Sequence, residues 1–209
     1  MSYRKHLKIT TPVGIAVFPR LNEPDTQFDK DGLYNVILRL PSDIAKETIS
    51  KITGVFKENL KNIKEEKGKK VKEAPLPIKN VEDEDGSPTG EVDIKFKLRA
   101  IGQKDGQKWE QRPALFDSSG KPLSETIGGG STIKIGAEVV PYYTSTVGAG
   151  VTLRLKAVQV IKLVEFSSVG FESWGFSEEE GFVSKGKEEP KESKEVSSDQ
   201  DEEDSDFDF

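Results

Sequence analysis

With 209 residues, no cysteine, a single histidine and a net charge of −6, the chain can build neither a disulfide framework nor a thiolate metal site, and His6 alone supports no zinc centre or histidine-based triad. No apolar run approaches the roughly 20 residues that span a bilayer, and no apolar segment follows the charges of Met1–His6, so an intracellular protein with no membrane association is expected. The charge is unevenly placed: residues 188–209 carry eleven acidic and two basic side chains, while residues 1–187 carry 29 basic against 26 acidic.

In chain order, Leu7–Phe18 reads as a strand interrupted at Pro12, and Leu33–Leu40 as a second. Pro41 then introduces a helix over about 42–66, with Ser42 as its N-cap. Ile44, Ile49, Ile52, Val55, Phe56, Leu60 and Ile63 recur at three-and-four spacing on one stripe, and Gly68 ends it. Lys67–Lys72 follows as a solvated basic turn, and Val81–Gly90 as a polar loop.

The middle of the chain alternates with period two. Val92, Ile94, Phe96 and Leu98 share one face, with Lys95, Lys97 and Arg99 on the other. Trp109–Phe116, broken by Pro113, reads as an edge strand. Gly128-Gly129-Gly130 is a tight turn into Ile133, Ile135, Ala137 and Val139, and Thr144–Gly150 is a hairpin connection. Val151, Leu153 and Leu155 alternate with Arg154 and Lys156, and the phase then changes at Ala157–Ile161, as at a bulge. Many antiparallel strands and one helix predict a mainly β domain, a curled sheet or small barrel over residues 1–166. A Gly, Ser and aromatic linker is expected over 167–187, containing Phe171, Trp174, Phe176 and Phe182. A disordered acidic tail is expected over 188–209.

Several site motifs fail on inspection. Gly181–Lys187 resembles a phosphate-binding loop, but Glu188 stands where Ser or Thr must bind magnesium, and no strand precedes it. Asp29–Gly32 hints at a calcium loop, yet Gln27 and Leu38 occupy ligand positions, so it reads as a turn. Asp83, Asp85 and Glu91 sit in a solvated acidic loop. No constellation points to an enzyme, a metal or a cofactor.

What remains is a set of cations with aromatics among them. Lys95, Lys97 and Arg99 on one strand, with Arg154 and Lys156 on another, form a band if those strands are neighbours, and Lys134 extends it. Trp109 between Lys108 and Arg112, Tyr142 and Tyr143, and Tyr34 with Arg39 supply rings beside charge. Such a surface holds single-stranded nucleic acid by phosphate contacts and base stacking without reading sequence. The bland reading is that the cations keep outer strand faces soluble and the rings fill core or edges. The tail favours the first: a tethered segment of net −9 competes for a cationic groove, and Phe207 and Phe209 suit capture by a partner.

Arg112–Asp117, Ile127–Ser131, Val139–Tyr143, Gly150–Val160 and the terminal Asp206-Phe207-Asp208-Phe209 together resemble the phage-encoded single-stranded-DNA-binding proteins. The likeness spans about residues 7–166 loosely and is most specific over 110–162. It implies an OB-type barrel that coats single strands in replication, recombination and repair. It also implies that the tail, with Asp204, Asp206, Phe207, Asp208 and Phe209, docks the phage DNA polymerase and helicase–primase. The site of action would be the host cytoplasm, and a homodimer stays open. Two other readings remain: an acidic-tailed interaction module or chaperone with no nucleic-acid role, and an RNA-binding OB protein.

Overall fold

A computed structural model describes residues 6–27, 29–68, 70–104 and 106–165. The chain divides into one unit over Met1–Ser168 and another over Val169–Phe209. The expectations for the linker aromatics, the Gly181–Lys187 loop and the tail lie outside the described residues.

Among the described residues ten strands and one helix follow in order. They are β1 (Leu7–Thr10), β2 (Gly14–Asp25), β3 (Leu33–Pro41), α1 (Ser42–Lys67), β4 (Ile78–Glu82), β5 (Pro88–Arg99), β6 (Ile101–Lys104), β7 (Gln107–Glu110), β8 (Ala114–Phe116), β9 (Thr132–Thr144) and β10 (Gly148–Lys162). The sheet runs β1-β9-β2-β3-β5-β10-β8, and β9 also pairs with β10. The strands β2, β3, β5, β10 and β9 therefore close on themselves as a five-stranded barrel. All its ladders are antiparallel except β5 with β10, which run parallel and meet at Lys97 and Arg154. This is an OB-type barrel.

The period-two pattern explains the core. Val36, Leu38, Ile94, Phe96, Ile133, Ile135, Val139, Leu153 and Leu155 are fully enclosed, each the inward member of its alternation. The ladder between β9 and β10 shifts register between Leu155 and Ala157, and the buried set passes from Leu153 and Leu155 to Val158 and Val160. The expected phase change is thus a bulge with Lys156 as its extra residue.

The helix buries Ala45, Thr48, Ile52 and Phe56, and Gly68, at φ 97, ends it by donating its N–H to the Lys64 carbonyl. Its start differs from expectation. Pro41 holds the capping position and Ser42 is the first helical residue, with no side-chain cap. Ile44 is exposed rather than on the buried stripe, because the stripe runs through Ala45, Thr48, Ile52 and Phe56 and Ile44 lies about 100° to one side of it.

Three other boundaries differ. β2 continues past Phe18 to Asp25 through register shifts that interrupt the alternation. The polar loop shrinks to 83–87, because β4 and β5 pair through Glu82 and Pro88. That short turn is held by Asp83 Oδ1, which accepts from the Asp85 and Ser87 N–H groups. Asp29 likewise organises a turn, accepting from Asp31 through Oδ1 and from Gly32 through its carbonyl. The edge segment splits at Pro113, so that β7 pairs with β6 as a separate two-stranded arm while β8 lies at the sheet edge beside β10. Among the described residues no helix is long and apolar enough to cross a membrane.

Candidate nucleic-acid interface

In chain order the barrel strands are β2, β3, β5, β9 and β10, so β3 and β5 are the second and third. In OB folds this pair, with the loops joining the first two and the last two strands, forms the oligonucleotide-binding face. Here those loops span residues 26–32 and 145–147.

The outward positions of β5 carry Lys95, Lys97 and Arg99, all exposed. Lys97 lies opposite Arg154 of β10, so the two basic strands are neighbours and their cations share one outer face. The register continues across the sheet. Arg20 faces Asn35, Asn35 faces Lys97, Lys97 faces Arg154, Arg154 faces Glu138 and Glu138 faces Lys8. Residues directly opposite on paired strands point to the same side, so this is a transverse row with four cations and one carboxylate. Lys156 stands two positions beyond Arg154. Lys134, half-buried opposite Gln159, carries the band onto β9.

These cations differ in what already holds them. Arg39 makes a two-pronged pair with Asp93, Nε to Oδ1 at 2.8 Å and an amino group to Oδ2 at 2.9 Å. The Asp93 hydrogen bond raises the Arg39 pKa despite the opposing cost of burial. Arg154 lies 3.5 Å from Glu138, and Arg99 lies 4.0 Å from Asp29. Among the described residues no carboxylate comes within ion-pair distance of Lys95, Lys97 or Lys156. A paired cation must surrender a partner to reach a phosphate, whereas these three lysines exchange only water.

The aromatic candidates divide between two ends. Trp109 sits on the β6–β7 arm, which leaves the barrel at the Arg99 end of β5. There Gln111 donates its backbone N–H to the Ala100 carbonyl and its side-chain amide to the Arg99 carbonyl. The indole, 47% exposed, lies across Gly102 on the opposite strand, where any Cβ would overlap the ring. Lys108 and Arg112 are exposed on the same arm. A cleft between this arm and the 26–32 loop is lined by Asp31, Ile101 and Glu110, with Arg112 at one side.

Tyr142 and Tyr143 lie at the far end of the barrel, where the β9–β10 hairpin meets α1. Tyr142 packs on Gly150, and Asn59 donates to both the Tyr142 and Gly150 carbonyls, fixing the hairpin to the helix. The Lys67 ammonium stands 5.6 Å from the Tyr143 ring centre, a cation–π contact.

Tyr34 departs from its expected role. It is 8% exposed and belongs to the core, because β3 buries its even-numbered positions, and what it shows of its surface lines the cleft beside Asp31 and Arg112 rather than the outer face with Arg39. Arg39 shares the outer face but is held by Asp93. Sequence reading missed Lys8 and Arg20. Lys8 was available from the phase of its strand, opposite in facing to Ile9, whereas Arg20 lies beyond the irregularity where the alternation ends.

The family model described as single-stranded DNA-binding protein of bacteriophage T7 matches residues 14–163. A single-stranded DNA-binding protein of Enterobacteria phage T3 is 36% identical over 97 residues, which cover 44% of this chain and 42% of the relative. That of Escherichia phage T7 is 36% identical over 103 residues, covering 46% and 44%. The aligned segments thus span less than half the length of these curated relatives. The crystal structure of gp2.5, a single-stranded DNA-binding protein encoded by bacteriophage T7, superimposes with a TM-score of 0.65 at 25% identity, covering 86% of this chain and all of that one. The fold is shared also with a single-stranded DNA-binding protein of bacteriophage Enc34 in complex with ssDNA, at a TM-score of 0.55 and 21% identity over 76% of this chain and 88% of the other. With its five-stranded barrel and its match to the family model over residues 14–163, the chain belongs to the family of bacteriophage T7-type single-stranded DNA-binding proteins.

Proposed function

We propose that this protein binds single-stranded DNA without sequence preference and without catalysis, on the outer face of β3, β5 and β10. The observation that carries this reading is the adjacency of Lys97 and Arg154, which joins two basic strands into one band on an OB-type barrel. The band offers charge for phosphates and no array of side-chain amides for reading base edges, which suits sequence-independent binding. Trp109 on its arm and Tyr143 near the opposite hairpin are exposed rings at the two ends of the path.

Affinity built on phosphate contacts falls steeply as salt rises. In a filter-binding titration, an oligothymidine should bind far more weakly at 200 mM than at 50 mM salt, and duplex DNA of equal length should bind less well at both. Salt-independent binding, or preference for duplex, sinks this reading. Equal affinity for oligouridine moves the assignment to RNA.

The tail reading rests on composition. Within the host cytoplasm, residues 188–209 would compete with DNA for the band and, once displaced, present Phe207 and Phe209 to the phage polymerase and helicase–primase during replication, recombination and repair. Asp204, Asp206 and Asp208 would meet basic patches on those partners. Phe209→Ala should leave DNA affinity unchanged and weaken polymerase docking in a surface-immobilised binding assay. Loss of DNA affinity with docking intact would reverse the assignment.

A further inference from the structure

Phe18 has the only positive φ outside glycine among the described residues, at 48°, and its side chain is 79% exposed. Both properties are costly for a phenylalanine. A left-handed backbone crowds the Cβ of a bulky residue, and the following Pro19 further disfavours helical ψ values at this position. The ring recovers almost none of the burial that would offset that cost.

The alternation of β2 shows what the strain accomplishes. Gly14 and Ala16 point inward and Ile15 and Val17 outward, so an uninterrupted strand would send Phe18 into the barrel. The register breaks between Val17 and Arg20 instead, Phe18 turns outward, and Leu21 takes the next inward place. The chain has expelled from its core an aromatic that regular pairing would have buried. Backbone strain of this kind clusters at active sites and ligand clamps.

The register also places the ring. Val17 lies opposite Ile37, which lies opposite Lys95; Arg20 lies opposite Asn35, which lies opposite Lys97. Phe18 therefore sits between the Lys95 row and the Lys97 row, two strands away, which is about 10 Å across the sheet. Its immediate surroundings on that face are Val17, Ile37 and Asn35, which bring no charge of their own, with Arg20 beyond. An occupant of this spot meets a flat apolar ring on one side and two uncompensated lysines on the other. Of the groups that fit, a nucleobase whose own phosphate rests on Lys95 or Lys97 matches both.

We infer that Phe18 is a base-stacking platform for single-stranded DNA, positioned by its left-handed backbone beside the Lys95–Lys97 phosphate track. This assignment rests on the function proposed above and names a residue within it.

The test compares full-length protein with Phe18→Ala and Phe18→Gly on two ligands, an oligothymidine and an abasic oligomer with the same number of phosphates. Stacking on one ring is worth a factor of about 5 to 150 in affinity. Phe18→Ala should therefore bind oligothymidine roughly tenfold or more weakly, while matching the parent protein on the abasic strand. Phe18→Gly should show the same selective loss together with a melting temperature about 2–4 °C higher, because glycine adopts the positive φ without strain. Phe18→Trp should retain binding. Equal affinity of Phe18→Ala and parent for oligothymidine overturns the inference. So does an equal loss on both ligands, which would be a change of fold or charge rather than of stacking. Failure of the parent itself to bind oligothymidine is a different result, and it removes the proposed function.

Discussion

Replacing Lys95 and Lys97 together by glutamate should lower affinity for a single-stranded oligonucleotide on the order of 100-fold or more at low salt. Two unit charges 4 Å apart interact by about 1 kcal/mol in bulk water and by several times that near a protein surface, and each reversal both removes an attraction and adds a repulsion. These lysines are chosen because among the described residues neither has a carboxylate partner, and Lys97 stands in the row with Asn35, Arg154 and Glu138 while Lys95 lies two positions along the same strand. The milder change to alanine carries a sharper signature. Each lysine that neutralises a phosphate adds about 0.7 to the salt slope on single strands, so the double alanine variant should lose about 1.4 from it. Reversal of Lys46 and Lys57, exposed on α1, gives the control with the same change in net charge. Equal losses in the two double variants would mean that net charge alone governs binding, and no track runs along β5. Arg39→Ala should have a small effect on DNA binding, since Asp93 already holds that guanidinium in two hydrogen bonds.

Removal of residues 188–209 should tighten single-strand binding about tenfold at low salt and leave it nearly unchanged at 0.5 M. A tethered segment has an effective concentration of about 1 mM at its target. If it occupies the band with an affinity of about 0.1 mM, it lowers apparent DNA affinity about elevenfold by mass action. Its eleven carboxylates against two lysines make the competition electrostatic, so salt should suppress it as the screening length shortens to a few ångströms. Fluorescence polarisation of a labelled oligothymidine reads both conditions. A second variant with Asn and Gln in place of the tail carboxylates, at the same length, separates charge from excluded volume. Unchanged affinity in both variants would show that the tail does not visit the band.

The two expectations depend on different levels of organisation. The charge of the tail is legible from composition alone, because eleven acidic residues and only three large apolar ones, Val196, Phe207 and Phe209, over 188–209 need no fold to be read. The helix and most strands were equally open. Period-two runs such as Val92–Leu98 and Ile133–Val139 place alternate residues on opposite sides wherever the strand ends up, and the phase change after Leu155 announced the bulge. Boundaries were harder where a strand has little apolar content, as in β4, whose pairing with β5 supplies what its sequence lacks. Tyr34 was misplaced for a related reason. A tyrosine beside an arginine has two plausible destinations, and only the buried phase of β3 decides between them.

By itself, then, the chain's order of residues settled which cations of β5 and β10 point away from the core, since side-chain facing follows from the local pleat. It also settled that the charge of the last 22 residues opposes that of the rest. Tertiary structure decided which of those cations are neighbours and which are already matched. Lys97 meets Arg154 because two distant strands lie side by side in the barrel, and Arg39 meets Asp93 across 54 residues of chain. It decided too that Phe18 faces outward against its own alternation, because the pairing of β2 with β3 changes register between Val17 and Arg20. Facing is a property of adjacent residues, whereas neighbourhood and strain belong to the closed sheet, and the binding surface is made from both.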